Sequence, residues 1–565
     1  MIINGKGANR YRLLPQEKRC YYREITMADL RDDPPKNKFV EEKDKMTMED
    51  SIKELYARRE KAKQMGGAER VAKQHARGRL TARERVEKLL DPGSFLEFGM
   101  LAHANIPELE RLSAADGRIC GTGTISSRKV AVIAQDRTVL GGSGGTVGHR
   151  KTDTQRKLAL EGGYPVIELA DESGGVRIQE VMGAREWLGE WLAYTLEHRN
   201  DPITRRIPRV SAIMGECFGE PSWNAATADF VVMMKGTAMG AAGPKMLGRS
   251  IGQTITAQEL AGWELQFRGT GQADAIAEND EDCLAVVKEF LSYMPANCNE
   301  EPPYIPPKDD PYRRLENVEK TVPTQLNRAY DMYRLIKMIV DDGKYFPVKK
   351  DYAPSLVTCL ARIGGRVVGI YGNNPMFNAG APDVPASEKA VDFLCLCDSF
   401  NIPLISLMDI PGMFPGKEAE KLKLPTKIMV WLQAQNLVTV PRIHIIVRKY
   451  YAMGVLCMQG HLKRTDLIVA WPTARLSFVD PEIGLELAME SRIKEAKDPE
   501  AEKQRVREEW MASSPPWGAA GVYGVHDIID PRDTRKFIVQ ALDTLRGNKE
   551  KVISEHRLQD WPTGF

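Results

Sequence analysis

The chain has 565 residues, which is too long for one hydrophobic core and predicts two to four domains at roughly 150 residues each. Its 79 Lys+Arg against 77 Asp+Glu leave a formal net charge of +2, which argues against a dedicated nucleic-acid binder. Nine Cys without a CxxC pair and eight scattered His argue against a disulfide framework and a metal site.

The first 47 residues are rich in charge and predict an arm that lies on the body of the protein or on a neighbouring subunit. An unattached tail is the alternative. The segment lacks the apolar core and cleavage site of a secretory signal, and no run of apolar residues is long enough to span a bilayer. With its unpaired cysteines, the sequence therefore predicts a cytoplasmic protein that contacts no membrane.

From residue 48 the sequence has a helical pattern, which Asp91-Pro92-Gly93 ends. Short β-branched runs then alternate with helical stretches, the pattern of an α/β protein. A proline-rich polar segment at 301–311 predicts a linker between domains. The sequence thus predicts an N-terminal domain over 48–300 and a C-terminal domain over 312–565.

Signals recur in the same order on the two sides of this linker. The run PVIELAD at 165–171 is matched by PLISLMD at 403–409, 238 positions later. Strand patterns that begin at Pro208 and Pro441 differ by 233 positions, and those at Asp229 and Asp466 differ by 237. A series of matches in one order predicts two copies of a single α/β domain.

Each copy also has a turn between a buried strand and a helix, at 215–222 and at 448–454. Such turns leave backbone N–H groups unpaired beside the positive end of a helix dipole. Paired amides of this kind suit an oxyanion hole, although simple capping of the helix is the alternative. The run DESGGVRIQE at 171–180 is a further anion-binding turn, with glycines that admit a close ligand and an arginine for a phosphate or carboxylate.

Four blocks resemble the carboxyltransferase subunits of biotin-dependent acyl-CoA carboxylases, of the propionyl-CoA and methylcrotonyl-CoA carboxylase β type. They are DESGGVRIQE, LTARERVEKLLDPGSF, ASEKAVDFLCLCDSFNIPLISLMDIPGMFPG and DLIVAWPTARLSF, and the similarity extends over about residues 70–545. The resemblance implies an α/β fold of two tandem crotonase-like domains of the ββα superhelix type. It also implies a homo-oligomer, a dimer of trimers, or a hetero-oligomer with a related chain, whose active sites lie between subunits.

The chemistry of this family passes through a thioester enolate and a biotin oxyanion, so the resemblance implies two amide-lined oxyanion holes. It assigns Gly219 and Glu220 to the thioester oxygen in the acyl-CoA domain, and Met453 and Gly454 to the biotin carbonyl in the C-terminal domain. The other binding residues that it implies are Ser173, Gly174, Gly175, Arg177, Phe218, Tyr451, Ala452 and Leu456.

The resemblance further implies an acyl-CoA substrate, biotin on a separate carrier chain and no bound metal. Neither a biotinylation sequence nor an ATP-binding carboxylase domain is recognisable, so biotin carboxylase and biotin carboxyl carrier subunits are the expected partners. The alternatives are a decarboxylase subunit that runs the transfer in reverse, and a non-catalytic paralogue that assembles with an active carboxyltransferase.

Both turns depart from the pattern of the family. The N-terminal turn commonly reads Ala-Gly-Gly-Ala in the family and is Phe-Gly-Glu-Pro at 218–221 here; the C-terminal turn commonly reads Tyr-Gly-Gly-Ala and is Tyr-Ala-Met-Gly at 451–454. Backbone donors survive such changes, but Glu220 and Met453 are then expected to adopt backbone angles that glycine takes freely. The carboxylate of Glu220 must also point away from an enolate.

Overall fold

The computed structural model describes residues 46–171, 175–192, 204–461, 466–545 and 556–561. The chain divides into two units, residues 1–58 and 59–565. The first unit is described only from residue 46, where the chain enters helix α1 (Met48–Lys63). The predicted N-terminal arm therefore lies almost wholly outside the described residues.

The first half of the second unit contains a seven-stranded sheet and a separate two-stranded ribbon. Its strands are β1 (Leu96–Phe98), β2 (Arg118–Ile125), β3 (Arg128–Gln135), β4 (Val166–Ala170), β5 (Arg209–Ile213), β6 (Glu216–Phe218), β7 (Phe230–Met234), β8 (Ala238–Gly240) and β9 (Ala275–Ala277). The order in the sheet is β1-β2-β3-β4-β5-β7-β9, while β6 pairs with β8. The first two pairings are antiparallel and the remaining four are parallel.

The second half repeats this arrangement. Its strands are β10 (Tyr345–Pro347), β11 (Leu356–Ile363), β12 (Arg366–Asn373), β13 (Leu404–Ile410), β14 (Arg442–Tyr451), β15 (Asp466–Ala470), β16 (Arg475–Ser477) and β17 (Asp527–Ile528). The order β10-β11-β12-β13-β14-β15-β17 again has two antiparallel pairings followed by four parallel ones. The duplicated α/β fold that the sequence predicts is confirmed, because PVIELAD supplies β4 and PLISLMD supplies β13, both buried throughout.

Helices connect the strands and cover the sheets. After α1 they are α2 (Ala68–His75), α3 (Ala82–Leu89), α4 (Pro107–Glu110), α5 (Thr146–Gly162), α6 (Glu220–Ala226), α7 (Pro244–Ser250), α8 (Ala257–Ala261), α9 (Asp280–Tyr293), α10 (Val318–Thr321), α11 (Met332–Ile339), α12 (Val384–Ser399), α13 (Lys417–Lys421), α14 (Leu424–Leu437), α15 (Gly454–Gln459), α16 (Pro481–Ala488), α17 (Glu490–Lys494), α18 (Pro499–Ser513), α19 (Trp517–Gly521) and α20 (Thr534–Leu545). Two π-helical segments are Arg185–Leu192 and Leu265–Gly269.

Several of these helices begin where the sequence places a capping residue. Thr81 and Glu84 form a reciprocal capping box at the start of α3, and Asp383 accepts a hydrogen bond from the amide of Ala386 at the start of α12. Helix α12 is buried over most of its length, including Cys395 and Cys397, which are free cysteines in the hydrophobic core.

The two sheets share one hydrophobic core. Phe230 and Phe290 stack with their ring centroids 4.2 Å apart, and Phe346 of the second half packs 5.5 Å from Phe230. A buried lysine also links the halves, since Lys349 Nζ lies 2.9 Å from an oxygen of Asp274. Among the described residues, none of the helices has the length and apolar character needed to cross a bilayer.

Candidate active site

The N-terminal turn lies between strand β6 and helix α6. Gly219 joins them with φ 78° and ψ −129°, a conformation that favours glycine. Its amide donates to the carbonyl of Gly240 at 3.0 Å, which extends the pairing of β6 with β8 by one hydrogen bond. A Cβ at Gly219 would meet Gly175 Cα at 3.9 Å, so the turn at 218–220 and the glycine turn at 175 lie side by side. Phe218 is buried against β8 and α8.

The side chain of Glu220 is buried and faces His149. Its Oε2 contacts His149 Nε2, while His149 Nδ1 lies 2.7 Å from the carbonyl oxygen of Gly145. Burial would raise the pKa of Glu220, but the neighbouring imidazolium and guanidinium groups lower it below the ordinary value. Burial would likewise lower the pKa of His149, and the Glu220 carboxylate raises it instead. Each partner thus favours the charged form of the other, and the carboxylate is directed into the protein.

The neighbouring glycine turn contains four of the predicted binding residues, of which Ser173 and Gly174 lie outside the described residues. Gly175 has a positive φ of 68°, and its carbonyl accepts a hydrogen bond from the amide of Gly144 at 2.9 Å. The guanidinium of Arg177 is buried and forms ion pairs with Asp116, at 2.8 Å, and with Glu180. Arg177 thus holds this turn to the segment before β2 through Asp116, and its Nη2 donates to the carbonyl of Ser143, in the loop before α5, at 3.0 Å.

The C-terminal turn lies between strand β14 and helix α15. Ala452 has a φ of 59°, whereas Met453 has φ −64° and ψ −16° and is 58% exposed. Within the part of the chain that the structure describes, neither the amide of Met453 nor that of Gly454 donates a hydrogen bond. Leu456, in the first turn of α15, donates its own amide to the carbonyl of Met453 at 3.0 Å.

The expectation that Glu220 and Met453 need glycine-like backbone angles is wrong. Glu220 begins α6 and Met453 has helical angles, because each turn takes its left-handed residue one position earlier, at Gly219 and at Ala452. The departures from the family pattern therefore introduce backbone strain at Ala452, which has a Cβ at a positive φ. Glu220 and Met453, which carry the large side chains, are not strained in this way.

Close packing of small residues shapes the C-terminal turn. A Cβ at Gly454 would lie 2.8 Å from Ile410 Cδ1 and 3.3 Å from the carbonyl carbon of Gly412. The turn that follows β13 and the turn that follows β14 are thus in contact. Tyr451 is completely buried beneath them, and burial raises the pKa of its hydroxyl to about 12.

A buried aspartate at the end of β13 supports the C-terminal turn. Asp409 Oδ2 lies 2.9 Å from Arg448 Nε, and its Oδ1 lies 3.3 Å from Lys449 Nζ. The amide of Asp409 donates to Asn373 Oδ1 at 3.2 Å. Since Arg448 and Lys449 immediately precede the turn on β14, this cluster fixes the end of that strand.

Asp171, the equivalent aspartate of the first half, has the same kind of contacts with a different cationic side chain. Asp171 Oδ2 lies 2.7 Å from Arg85 Nη1, and the amide of Asp171 donates to Gln135 Oε1 at 3.0 Å. Gln135 and Asn373 are 238 positions apart, as are Asp171 and Asp409. Sequence reasoning missed these supports, although the shared offset of the two amide side chains was a signal that could have found them.

Comparisons with known proteins agree with this architecture. A family model described as the carboxyl transferase domain matches residues 73–558. The propionyl-CoA carboxylase carboxyltransferase subunit of Haloferax mediterranei is 36% identical over 510 residues, which cover 89% of this chain and 98% of that protein. The methylmalonyl-CoA carboxyltransferase 12S subunit of Propionibacterium freudenreichii subsp. shermanii is 36% identical over 503 residues, 88% of this chain and 94% of that protein.

A solved structure of transcarboxylase 12S with methylmalonyl-coenzyme A and methylmalonic acid bound superposes with a TM-score of 0.83, at 36% sequence identity. It covers 89% of this chain and 96% of that one. The fold is therefore that of the crotonase-like carboxyltransferases. The chain belongs to the carboxyl transferase domain family and is an enzyme of the biotin-dependent carboxylase and transcarboxylase class. Over the described residues, no group of three or more His, Cys, Asp or Glu is arranged to hold a metal ion.

Proposed function

We propose that this chain moves a carboxyl group between carboxybiotin and an acyl-CoA thioester, with the turn at 451–454 on the biotin side and the turn at 218–220 on the acyl side. The observation that supports this assignment most strongly is the pair of amides at Met453 and Gly454, which stand at the start of helix α15 and donate to none of the described residues. Unbonded N–H groups at a helix N-terminus favour an oxygen that carries negative charge.

On the biotin side, these amides would donate to the ureido oxygen of biotin. Bound carboxybiotin supplies the carboxyl group that is transferred. The buried cluster of Asp409, Arg448 and Lys449 holds the strand end in place, so that the two amides need no rearrangement when charge develops on the oxygen. Ala452, Tyr451 and Leu456 form the surroundings of this oxygen site.

On the acyl side, the amide of Gly219 donates to the carbonyl of Gly240, and we place the thioester oxygen at Gly219 and Glu220. Gly219 contributes room, because it has no Cβ between the two turns. The ion pair with His149 keeps the Glu220 carboxylate away from a developing enolate. Phe218, Gly175 and the buried Arg177 support this side, together with Ser173 and Gly174.

The proposal includes partners that this chain does not supply. Biotin would be attached to a separate carrier protein, and a biotin carboxylase subunit would carboxylate it. We place this reaction in the cytoplasm. The transcarboxylase 12S structure is described as a hexamer assembly, and we infer a comparable dimer of trimers, or a mixed oligomer, for this chain. The domain boundaries at 300 and 312 are part of the same proposal.

A pair of variants at one position tests the role of the biotin-side amides. Met453→Pro removes one N–H at a residue whose φ of −64° suits proline, whereas Met453→Ala keeps the N–H. Exchange of labelled carboxyl from malonyl-CoA or methylmalonyl-CoA to free biotin is the measurement. We expect the proline variant to lose about 100-fold in rate, the usual effect of removing one oxyanion donor, and the alanine variant to lose less than about threefold.

Thermal unfolding and acyl-CoA binding of both variants serve as controls, because proline also restricts the residue before it. Loss of exchange with unchanged unfolding and acyl-CoA binding supports the assignment. Wild-type exchange in the proline variant contradicts it. Absence of both exchange and acyl-CoA binding in the wild-type protein would reject transfer in either direction and favour a non-catalytic subunit.

A further inference from the structure

A large cavity lies beside the end of strand β14, and its lining includes none of residues 218–220 and 451–454 of the two turns discussed above. Its volume is about 720 Å³, and segments within 320–334, 350–357 and 374–377 line it. This volume is in the range of cavities that hold small organic ligands.

The lining of the cavity carries excess positive charge. Its cationic side chains, all exposed, are those of Lys320, Arg328, Arg334 and Lys350. None of the four forms an ion pair within the ranges that the structure describes. The two carboxylates of the lining are engaged: Asp331 accepts from the amide of Tyr333 at the start of α11, and Asp351 lies 3.5 Å from Arg268. Unpaired cations on a concave wall favour an anion.

The same cavity presents apolar and aromatic surface. Phe377 is 46% exposed and Met376 is 57% exposed, both on its wall. The ring of Tyr333 stacks on Tyr345 at 5.3 Å, and its buried hydroxyl has no hydrogen-bond partner among the described residues. An exposed aromatic beside unpaired cations is a combination that suits a flat base joined to phosphate.

Two side chains hold the walls of the cavity to the end of strand β14. Arg448 Nη1 donates to the carbonyls of Gln325, at 3.0 Å, and Arg328, at 2.8 Å, on one wall. Lys449 Nζ donates to the carbonyl of Ala379 at 3.1 Å, beside the opposite wall. The walls of the cavity are therefore joined to the buried end of strand β14.

We propose that this cavity is a binding site for a nucleoside phosphate, with the base on Phe377 and the phosphates on the arginine and lysine side chains. This site is additional to the acyl-CoA and biotin sides of the proposed reaction. The nucleoside phosphate has two possible sources, the nucleotide end of a CoA molecule and a free nucleotide. Both sources contain a flat base and phosphate groups, which are the groups that the cavity would bind.

Calorimetric titration of the full-length protein with ADP and with adenosine 3′,5′-bisphosphate tests the proposal. The double variant Arg334→Gln/Lys350→Gln is expected to weaken binding of both ligands about tenfold, since each lost cation removes a charge-assisted contact. Lys494→Gln is the matched control, because this side chain is exposed and lies outside the cavity. The control variant is expected to bind as the wild type does.

Phe377→Ala provides an independent measurement. This variant is expected to bind both nucleotides more weakly and to keep the affinity of the wild type for inorganic phosphate. Tighter binding of the 3′,5′-bisphosphate identifies CoA as the source, and equal or tighter binding of ADP identifies a free nucleotide. Absence of nucleotide binding at millimolar concentration, or equal affinity in the wild type and the double variant, would overturn the proposal.

Discussion

The N-terminal and C-terminal turns occupy the same place in two copies of one fold, yet their backbones are used differently. In the N-terminal turn the amide of Gly219 is bonded to Gly240 and the side chain of Glu220 is buried. In the C-terminal turn the amides of Met453 and Gly454 donate to nothing in the described structure, and Met453 is exposed. The side chain of Glu220 holds the N-terminal turn in place, whereas the C-terminal turn leaves its backbone amides available to a ligand.

This difference shows that the effect of replacing a glycine of the family pattern depends on the residues that surround it. Glu220 stands where the family commonly has glycine, and it is matched by His149 from another element. Ala452 stands at one of the two such positions in the C-terminal turn and occupies a left-handed conformation. We expect a change to glycine to have opposite effects on stability at these two sites.

The largest expected effect comes from the buried aspartate that each half has at the same place, Asp409 and Asp171. Asp409→Ala removes the buried carboxylate that pairs with Arg448, whereas Asp171→Ala removes one of two carboxylates from Arg85, which also pairs with Asp280 at 2.5 Å. We expect Asp409→Ala to lose about 3–5 kcal/mol in the free energy of unfolding and Asp171→Ala to lose about 1–3 kcal/mol, both measured by urea denaturation. Glu490→Ala, at an exposed ion pair, is the control and should leave the free energy of unfolding almost unchanged. Similar small losses in all three variants would show that the aspartates do not support the turns.

An intermediate effect is expected from Glu220→Gly, which restores the common glycine and leaves His149 unpaired. The variant should be less stable by about 3 kcal/mol near pH 6, measured by urea denaturation. The folded pKa of Glu220 is lowered, so its contribution is present above pH 4.5 and is lost as the pH falls through the folded value. The folded pKa of His149 is raised, so its contribution is present below pH 6.5 and is lost as the pH rises through the folded value.

The difference in stability between the wild type and this variant should therefore be largest between pH 4.5 and 6.5 and should narrow at higher pH. Glu220→Gln at pH 5.5 and 8.5 serves as a comparison that keeps the size of the side chain. A difference that stays constant from pH 5.5 to 8.5 would contradict the ionic pair.

The smallest effect, with the opposite sign, is expected from Ala452→Gly. A glycine at φ 59° removes the steric cost of the Cβ, although it adds entropy to the unfolded chain. We expect a gain of about 0.5–1 kcal/mol in the free energy of unfolding. Thermal unfolding at constant pH is a suitable measurement, with Ala452→Val as the contrasting variant that should be less stable. A loss of stability in the glycine variant would show that Ala452 is not strained.

The sequence by itself determined the duplication and the location of the two turns. Strand patterns such as PVIELAD and PLISLMD are local signals, because burial on both faces demands continuous apolar residues wherever the strand lies in the sheet. The nearly constant offset between such matched patterns then predicted two copies of one domain without any knowledge of contacts. The turn positions followed, since each comes directly after a predicted buried strand.

Only the tertiary structure decided how each turn is used. The hydrogen-bond partner of the Gly219 amide is 21 positions away, and the ionic partner of Glu220 is 71 positions away. Such partners come together through packing of separate elements, which the periodicity of the sequence does not encode. For the same reason Arg177, predicted as an anion-binding side chain, has its guanidinium in a buried network with Asp116. Local pattern therefore determined where the backbone turns, and long-range pairing decided which of its polar groups remain available for chemistry.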